Sequence, residues 1–497
     1  MRRPSLLFIY TDEQAAGTMA AYGNEHIETP NLDRLSSESI VFERAYCTQP
    51  VCTPSRSSIL TGLYPHASGC LQNNEPLGRE VQCLPELSDF SDYRTAHMGK
   101  WHLGDEIFAQ HGFDEWVSIE DGYRPYYSPG RDRDAHCDYW HWLTDRGVEP
   151  PESEDGFNAF PRAFAARLPE EHSKPAFLAE RAGQFIRECG DEPFLLYVNF
   201  LEPHMPFFGP RDDQYDPAHV ALPDNFDAVP GPDTPLKVRL LYEHFRHKGI
   251  SGLPLRTEGD WRQLIANYWG LCSLVDTHVG TILDALDAAG RADETIVVFT
   301  SDHGDMMGSH RLVAKTVMYE EAVRVPLLLR VPWLEESAGQ IRQPVSQVNL
   351  VPTLLDLLGH GVPGHLQGAT WRPHLHRLDD FPAEDVVIEW NGPDNAALGP
   401  NQHQMPPHLE NVTTYDEAMD SITAPVRTIV TPTGWKLNCS AIGEHELYSL
   451  REDPGETENL IDDPAVEELV ADLWDRLQRW QDRMDDDARL ASDPSLR

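Results

Sequence analysis

Cys52-Thr53-Pro54-Ser55-Arg56, followed by Ser57-Ser58-Ile59-Leu60-Thr61-Gly62, puts a thiol directly ahead of a helix-forming run. Thr53 suits the helix N-cap and Pro54 the first turn, which places residue 52 over a helix N-terminus. Free N–H groups and partial positive charge there favour an anionic ester. Arg56, about one turn on, is placed to bond an oxygen at position 52 and the anion together. A plain thiolate at Cys52 would attack a carbonyl carbon, but no adjacent Cys-His protease pattern accompanies it. Other reactive groups stand where apolar runs end. Leu6 to Tyr10 leads into Thr11-Asp12-Glu13, Phe194 to Phe200 into Glu202-Pro203-His204, and Ile296 to Thr300 into Ser301-Asp302-His303-Gly304-Asp305.

Those runs are read as strands of an α/β fold with a large, mostly parallel sheet flanked by helices. Such sheets bind ligands outside the carboxyl ends of their strands, so residues delivered by three strands can converge on one site. Residues 261–290 carry a helical apolar pattern, and residues 351–359 form a second helix with Pro near its start and Gly at its end. Asp276 and His278 lie within the first and are expected to be hydrogen-bonded or solvated. After about residue 376 the texture changes, dividing the chain into 1–375 and a smaller subdomain, 376–497. The latter reads as a polar loop over 391–411, short antiparallel strands near 426–431, 435–438 and 446–450, and a terminal helix over about 465–484. The acidic tail, with Asp485-Asp486-Asp487, is expected to be frayed and solvated.

The 497 residues carry 40 basic and 81 acidic side chains, a net charge of −41, which disfavours nucleic acid and anionic membranes as partners. Only six of the basic residues are lysines, a balance that fits either work in high salt or a GC-rich genome. No apolar run approaches the roughly 20 residues that span a bilayer. The N-terminal run is too short for a signal-peptide core, so a cytoplasmic protein is expected. The eight cysteines form no Cys-x-x-Cys pair and read as buried apolar residues, not as a disulfide or zinc framework. His97, His111 and His310 read as structural, whereas His66 and Asn73-Asn74 are candidates to approach a substrate.

The cysteine motif resembles the signature of the type I sulfatases of the alkaline phosphatase superfamily, in which that cysteine is oxidised to formylglycine. Five further segments resemble family motifs in order: Leu7 to Gln14, Met98-Gly99-Lys100-Trp101-His102-Leu103-Gly104, Glu202 to Phe207, Ser301 to Gly308 with Lys315 and Tyr319-Glu320-Glu321, and Glu446 to Leu460. The resemblance implies an alkaline-phosphatase-like fold and hydrolysis of an aryl or carbohydrate sulfate ester. It implies that Asp12, Glu13, Asp302, His303 and the modified Cys52 hold one divalent cation, although the family more often pairs two Asp where this chain has Asp12-Glu13. Calcium is the expected ion, with magnesium or manganese as alternatives. Arg56, Lys100, His102, His204 and Lys315 complete the implied catalytic set. One hydroxyl of the aldehyde hydrate attacks sulfur, Lys315 and His204 serve the sulfate and the leaving oxygen, and Lys100 and His102 serve the hydrate. A formylglycine-generating enzyme is the implied transient partner.

Three other functions are set against this one. Phosphonate monoester or phosphodiester hydrolysis would use the same residues. A zinc phosphatase would need Ser or Thr at position 52. A catalytically silent sugar-binding protein would lack nucleophile or metal ligands, and here every such position is filled. The substrate is not legible. Tyr123, Tyr126, Tyr127, Trp140 and Trp142 are read as packing before they are read as a sugar platform. Oligomeric state is likewise not legible.

Overall fold

The computed structural model describes residues 3–120, 122–153, 159–334, 338–398 and 403–494. The polar loop expected over 391–411 therefore lies in part, at 399–402, outside the described residues.

The central strand, β1 (Ser5–Asp12), is buried along its whole length. Its alternation sends Leu6, Phe8 and Tyr10 to one apolar cluster and Leu7 and Ile9 to another, as a strand covered on both faces requires. The further strands of this sheet are β2 (Ile40–Tyr46), β3 (Arg94–Gly99), β4 (Glu115–Val117), β5 (Phe194–Pro203), β6 (Thr295–Ser301), β7 (Arg324–Val325), β8 (Leu327–Arg330) and β9 (Gly339–Ser346). They run in the order β4-β3-β5-β1-β6-β8-β2-β7, with β9 on β2. β1 pairs in parallel with both β5 and β6, whereas β8 is antiparallel to β6 and β2. The mixed, mostly parallel sheet expected from the sequence is thus present.

Five helices pack on this sheet: α1 (Pro30–Ser37), α2 (Cys52–Thr61), α3 (Lys174–Cys189), α4 (Glu258–Ala288) and α5 (Leu350–Leu357). α3 and α4 cover one face through Phe177, Phe185, Ile186, Val279, Ile282 and Leu286. α2 and α5 cover the other through Ile59, Leu60, Leu350, Leu354 and Leu355. Asp276 of α4 accepts from the amides of Asn31 and Leu32 at the start of α1, so it is a hydrogen-bonded helix residue as expected.

A second, antiparallel sheet follows: β10 (Val386–Trp390), β11 (Val426–Val430), β12 (Trp435–Ser440) and β13 (Glu446–Ser449), paired in that order. The terminal helix α6 (Glu467–Met484) lays Val470, Leu473, Leu477 and Trp480 on it, a 3.6-residue stripe. The residues beyond it correct one expectation. Asp486 is buried and forms a bidentate pair with Arg427, both bonds at 2.7 Å, so the start of the acidic tail is anchored rather than solvated. Two buried ions with matched fork geometry tolerate removal from water where a lone carboxylate would not.

Candidate active site

Asp12 ends β1, and the amide of Asp302 bonds the carbonyl of Thr11 at 3.0 Å, which carries Asp302 past the end of β6 to the side of Asp12. Parallel pairing thereby sets two carboxylates from opposite ends of the sequence side by side. β3 supplies Lys100, because Gly99 takes a left-handed φ of +116° and a Cβ there would lie 1.9 Å from the carbonyl oxygen of Asn199. α2 points Cys52 at the same place. Cys52 is itself the first helical residue, with Val51 as N-cap, so Thr53 is not the cap expected from the sequence. Instead the Thr53 hydroxyl donates to the carbonyl of His102 at 2.7 Å, and the side-chain oxygen of Asn73 accepts from the Thr53 amide at 3.2 Å. The chain is extended at Val51, so the helix starts two residues earlier than Pro54 at the first helical position would place it.

The cluster is tight and buried. Cys52 Sγ lies 3.6 Å from Asp12 Oδ1 and 3.3 Å from His303 Nε2. Ligand atoms of Asp12, Cys52, Asp302 and His303 all fall within 4.8 Å of one another, as do those of Asp12, Glu13 and His204. Arg56 bridges the two carboxylates, with Nη2 2.8 Å from Asp12 and Nε 2.9 Å from Asp302, and its Nη1 donates to the Lys100 carbonyl. Lys100 Nζ bonds Asp12. Lys315 Nζ lies 3.0 Å and His204 Nε2 3.5 Å from Glu13 Oε2. His303 Nδ1 donates to the Gly304 carbonyl at 3.0 Å, which leaves the Nε2 lone pair facing the carboxylates. His102 sits at the rim, stacked on Tyr123 at 4.2 Å and bonded to Asn74 Oδ1 at 3.0 Å. All nine residues singled out around Cys52 therefore meet at the carboxyl ends of the strands.

Burial raises the Cys52 thiol to about 12, and the charge on Asp12 adds to the rise. Burial thus disfavours the thiolate of an unmodified Cys52, the form that would attack a carbonyl carbon. Burial also opposes ionisation of Asp12, but the charges of Lys100 and Arg56 outweigh it and hold that carboxyl well below its usual range. Glu13 is pushed to about 8 by burial despite Lys315. Burial and the neighbouring Lys100 or Lys315 keep His102 and His204 neutral.

The residues fit a divalent cation. Both oxygens of Glu13 and Oδ2 of Asp302 are buried without a hydrogen bond of sound geometry, and oxygen donors with one imidazole match a hard or borderline ion. Two supporting residues escaped the sequence reading. Glu106 is buried and accepts from the amides of Trp101 (2.8 Å) and His102 (2.7 Å), holding His102 at its left-handed φ of +59°. No local rule marks it. Asn199, whose amide oxygen meets Arg56 Nη1 (2.7 Å) and the Tyr10 hydroxyl (3.1 Å) once the amide is turned to satisfy both donors, was readable as the one amide side chain in the apolar run Phe194 to Phe200.

His66, a candidate to approach the substrate, has its hydrogen bonds outside this cluster. Its Nδ1 bonds Glu389 on β10 and its Nε2 bonds the carbonyl of Met484, which fixes the second sheet and α6 to the helix after Cys52. Burial lowers its basicity, but the hydrogen bond and charge of Glu389 raise it further, so the net shift is upward. The stability it contributes is therefore full below the unfolded histidine value of about 6.5 and is lost as pH rises through the higher folded value. His66→Ala is expected to cost about 1–3 kcal/mol in chemical denaturation below pH 6, less at pH 9, with turnover per folded molecule unchanged. His97 packs among Trp101, Phe113 and Trp116, and His111 and His310 stack on Trp101 and Tyr319, as structural histidines do. Tyr127 and Trp142 are buried in packing.

Comparison with known proteins places these residues in context. The family model described as Sulfatase matches residues 4–360. The uncharacterised sulfatase YidJ of Escherichia coli K12 is 29% identical, over 98% of this chain and 89% of its own length. The solved phosphonate monoester hydrolase of Silicibacter pomeroyi superposes with a TM-score of 0.76 at 23% identity, covering 97% of this chain and 95% of its own. A structure solved in complex with its substrate D-glucosamine-2-N,6-O-disulfate superposes at 0.72, also at 23% identity, covering 98% of this chain and 99% of its own.

Proposed function

This chain belongs to the sulfatase family and is a sulfuric ester hydrolase, and from that premise we propose that it acts through a formylglycine made from Cys52, with one divalent cation held by Asp12, Glu13, Asp302 and His303. The observation that carries the reading is the position of Cys52 Sγ, within 3.6 Å of both Asp12 and His303 at a helix N-terminus. A formylglycine hydrate supplies one hydroxyl to attack sulfur and a second through which sulfate is released, a route a serine lacks. The cation supplies Lewis-acid polarisation of the sulfate oxygens.

The chain's own residues do the rest. Even with Asp12, Glu13 and Asp302 all ionised, Arg56, Lys100 and Lys315 balance their charge, so a divalent ion would leave the site net positive, the polarity an anionic ester needs. Arg56 fixes the spacing of Asp12 and Asp302. Lys100, held by Asp12, and His102, held by Asn74, flank position 52 on the β3 side, where the ammonium steadies an oxygen and the neutral imidazole takes up its proton. Lys315 and His204 stand together on the Glu13 side, where both bind the sulfate and the Lys315 ammonium delivers a proton to the leaving oxygen.

The substrate class is an aryl or glycan sulfate. The eight cysteines are all free, which fits a reducing compartment, and we place the protein in the cytoplasm. Initial rates on a matched pair of aryl sulfate and aryl phosphonate esters test the reading. Faster turnover of the sulfate is expected; faster turnover of the phosphonate would make the enzyme a phosphonate hydrolase. Chelation should abolish the rate and lower the melting temperature, and calcium, magnesium and manganese added back singly identify the ion.

A further inference from the structure

A cavity of about 710 Å³ lies behind Tyr268 and Asp305, and none of Cys52, Arg56, Lys100, His102, His204 or Lys315 lines it. Its wall carries Arg44 of β2, Arg324 of β7, Arg342 of β9 and Arg451. In antiparallel register Arg324 stands opposite Tyr46, and Arg44, two residues before Tyr46, projects from the same sheet face. Like charges set near each other on one face are destabilising unless something answers them.

The carboxylates of the same wall are already engaged. Glu43 pairs with Arg342 at 3.4 Å, and Glu321 accepts from Asn225 at 2.9 Å. Glu320 is shared between Lys436 at 3.1 Å and the Tyr46 hydroxyl at 3.0 Å. Asp305 accepts from the amides of Met307 and Ala314. Arg44 donates only to the carbonyl of Thr431, and Arg451 only to that of Pro432 at 3.5 Å. Among the described residues Arg324 has neither an ion pair nor a hydrogen bond from its side chain, and none of these three arginines has a carboxylate within 4 Å. Glu320 feels the charge of Arg324 and Arg44 only at longer range, so three guanidinium groups line one cavity without a direct carboxylate partner, in a chain with twice as many acidic as basic residues, 81 against 40.

We propose that this cavity is a second binding site, for an oxyanion group (sulfate, phosphate or carboxylate) held by Arg44, Arg324 and Arg451, distinct from the site at Cys52. Guanidinium forks match such anions in shape and charge. The anion has two sources, a free inorganic ion or an anionic group on a glycan chain. The site stands whether or not Cys52 acts through formylglycine.

Calorimetric titration of the full-length Cys52→Ala protein, which does not turn over, tests this with inorganic sulfate, inorganic phosphate and a sulfated disaccharide as separate probes. Two binding events are expected, and the Tyr268 and Trp269 rings in the cavity wall give a fluorescence change for the second. Arg44→Gln with Arg324→Gln should weaken that event at least tenfold and leave the rate of the Cys52-bearing enzyme on a small aryl sulfate within twofold. Arg451→Gln, on an exposed residue, should weaken it in the same direction if the double variant fails to fold. A disaccharide at least tenfold tighter than sulfate assigns the site to a glycan, and equal affinities assign it to the free ion. A single event that vanishes in Lys315→Ala and survives the arginine variants overturns the proposal, as does the absence of binding by all three probes.

Discussion

Cys52→Ala is expected to remove turnover of a sulfate ester by at least about 10⁴-fold, the scale of losing a covalent nucleophile. The fold should persist. The side chain is small and buried, its neighbours Asp12 and His303 keep their other partners, and the change in stability should stay within about 1 kcal/mol. Cys52→Ser should be nearly as inactive, because one hydroxyl offers no second route for release of sulfate. Initial rates beside thermal melts separate chemistry from folding. A rate above one hundredth of the original in Cys52→Ala would mean that another group carries the reaction. Peptide mass spectrometry on native protein supplies the matching measurement, since an intact thiol in every molecule would exclude the aldehyde route.

Arg56→Ala is expected to destabilise the protein by about 3–5 kcal/mol, the cost of leaving a buried charge unpaired. The guanidinium is fully buried and spans Asp12 and Asp302, so its loss leaves Asp302 without an ion-pair partner and Asp12 with Lys100 alone. Arg56→Lys should recover little, because one ammonium cannot reach both acids and the Lys100 carbonyl together. The denaturant midpoint measures the loss. Adding calcium should narrow the deficit, since a cation held by the same two carboxylates neutralises them. A deficit unchanged by any of the three ions would separate Asp12 and Asp302 from cation binding.

Much of this site was legible in the sequence because each piece is local. Cys52 to Arg56 span one helical turn, and Asp12, His204 and Asp302 each follow an apolar run that can only be a buried strand. The fold class followed from the same runs, whose β-branched and aromatic residues alternate with helical patterns. What was not legible has a common cause. Thr53 obeyed the statistics of N-caps, but its hydroxyl found a better acceptor in His102, 49 residues away. His66 lay close to the motif in sequence, yet its partners Glu389 and Met484 come from the last quarter of the chain. Asp486 read as solvent-exposed charge until Arg427 on a neighbouring strand answered it.

The sequence by itself determined the chemistry on offer: a cysteine before a helix, acids and imidazoles at strand ends, and two of only six lysines inside the same motifs. Residue type and short-range spacing suffice for that, because helices and strands fix which side chains share a turn or an end. Only the tertiary structure decided that these groups meet within a few ångströms, that Arg56 joins Asp12 to Asp302 across 290 residues of sequence, and that three other arginines line one cavity with no carboxylate in direct ion-pair contact. Ion pairing and burial act through space, and long-range pairing of strands is what sets those distances.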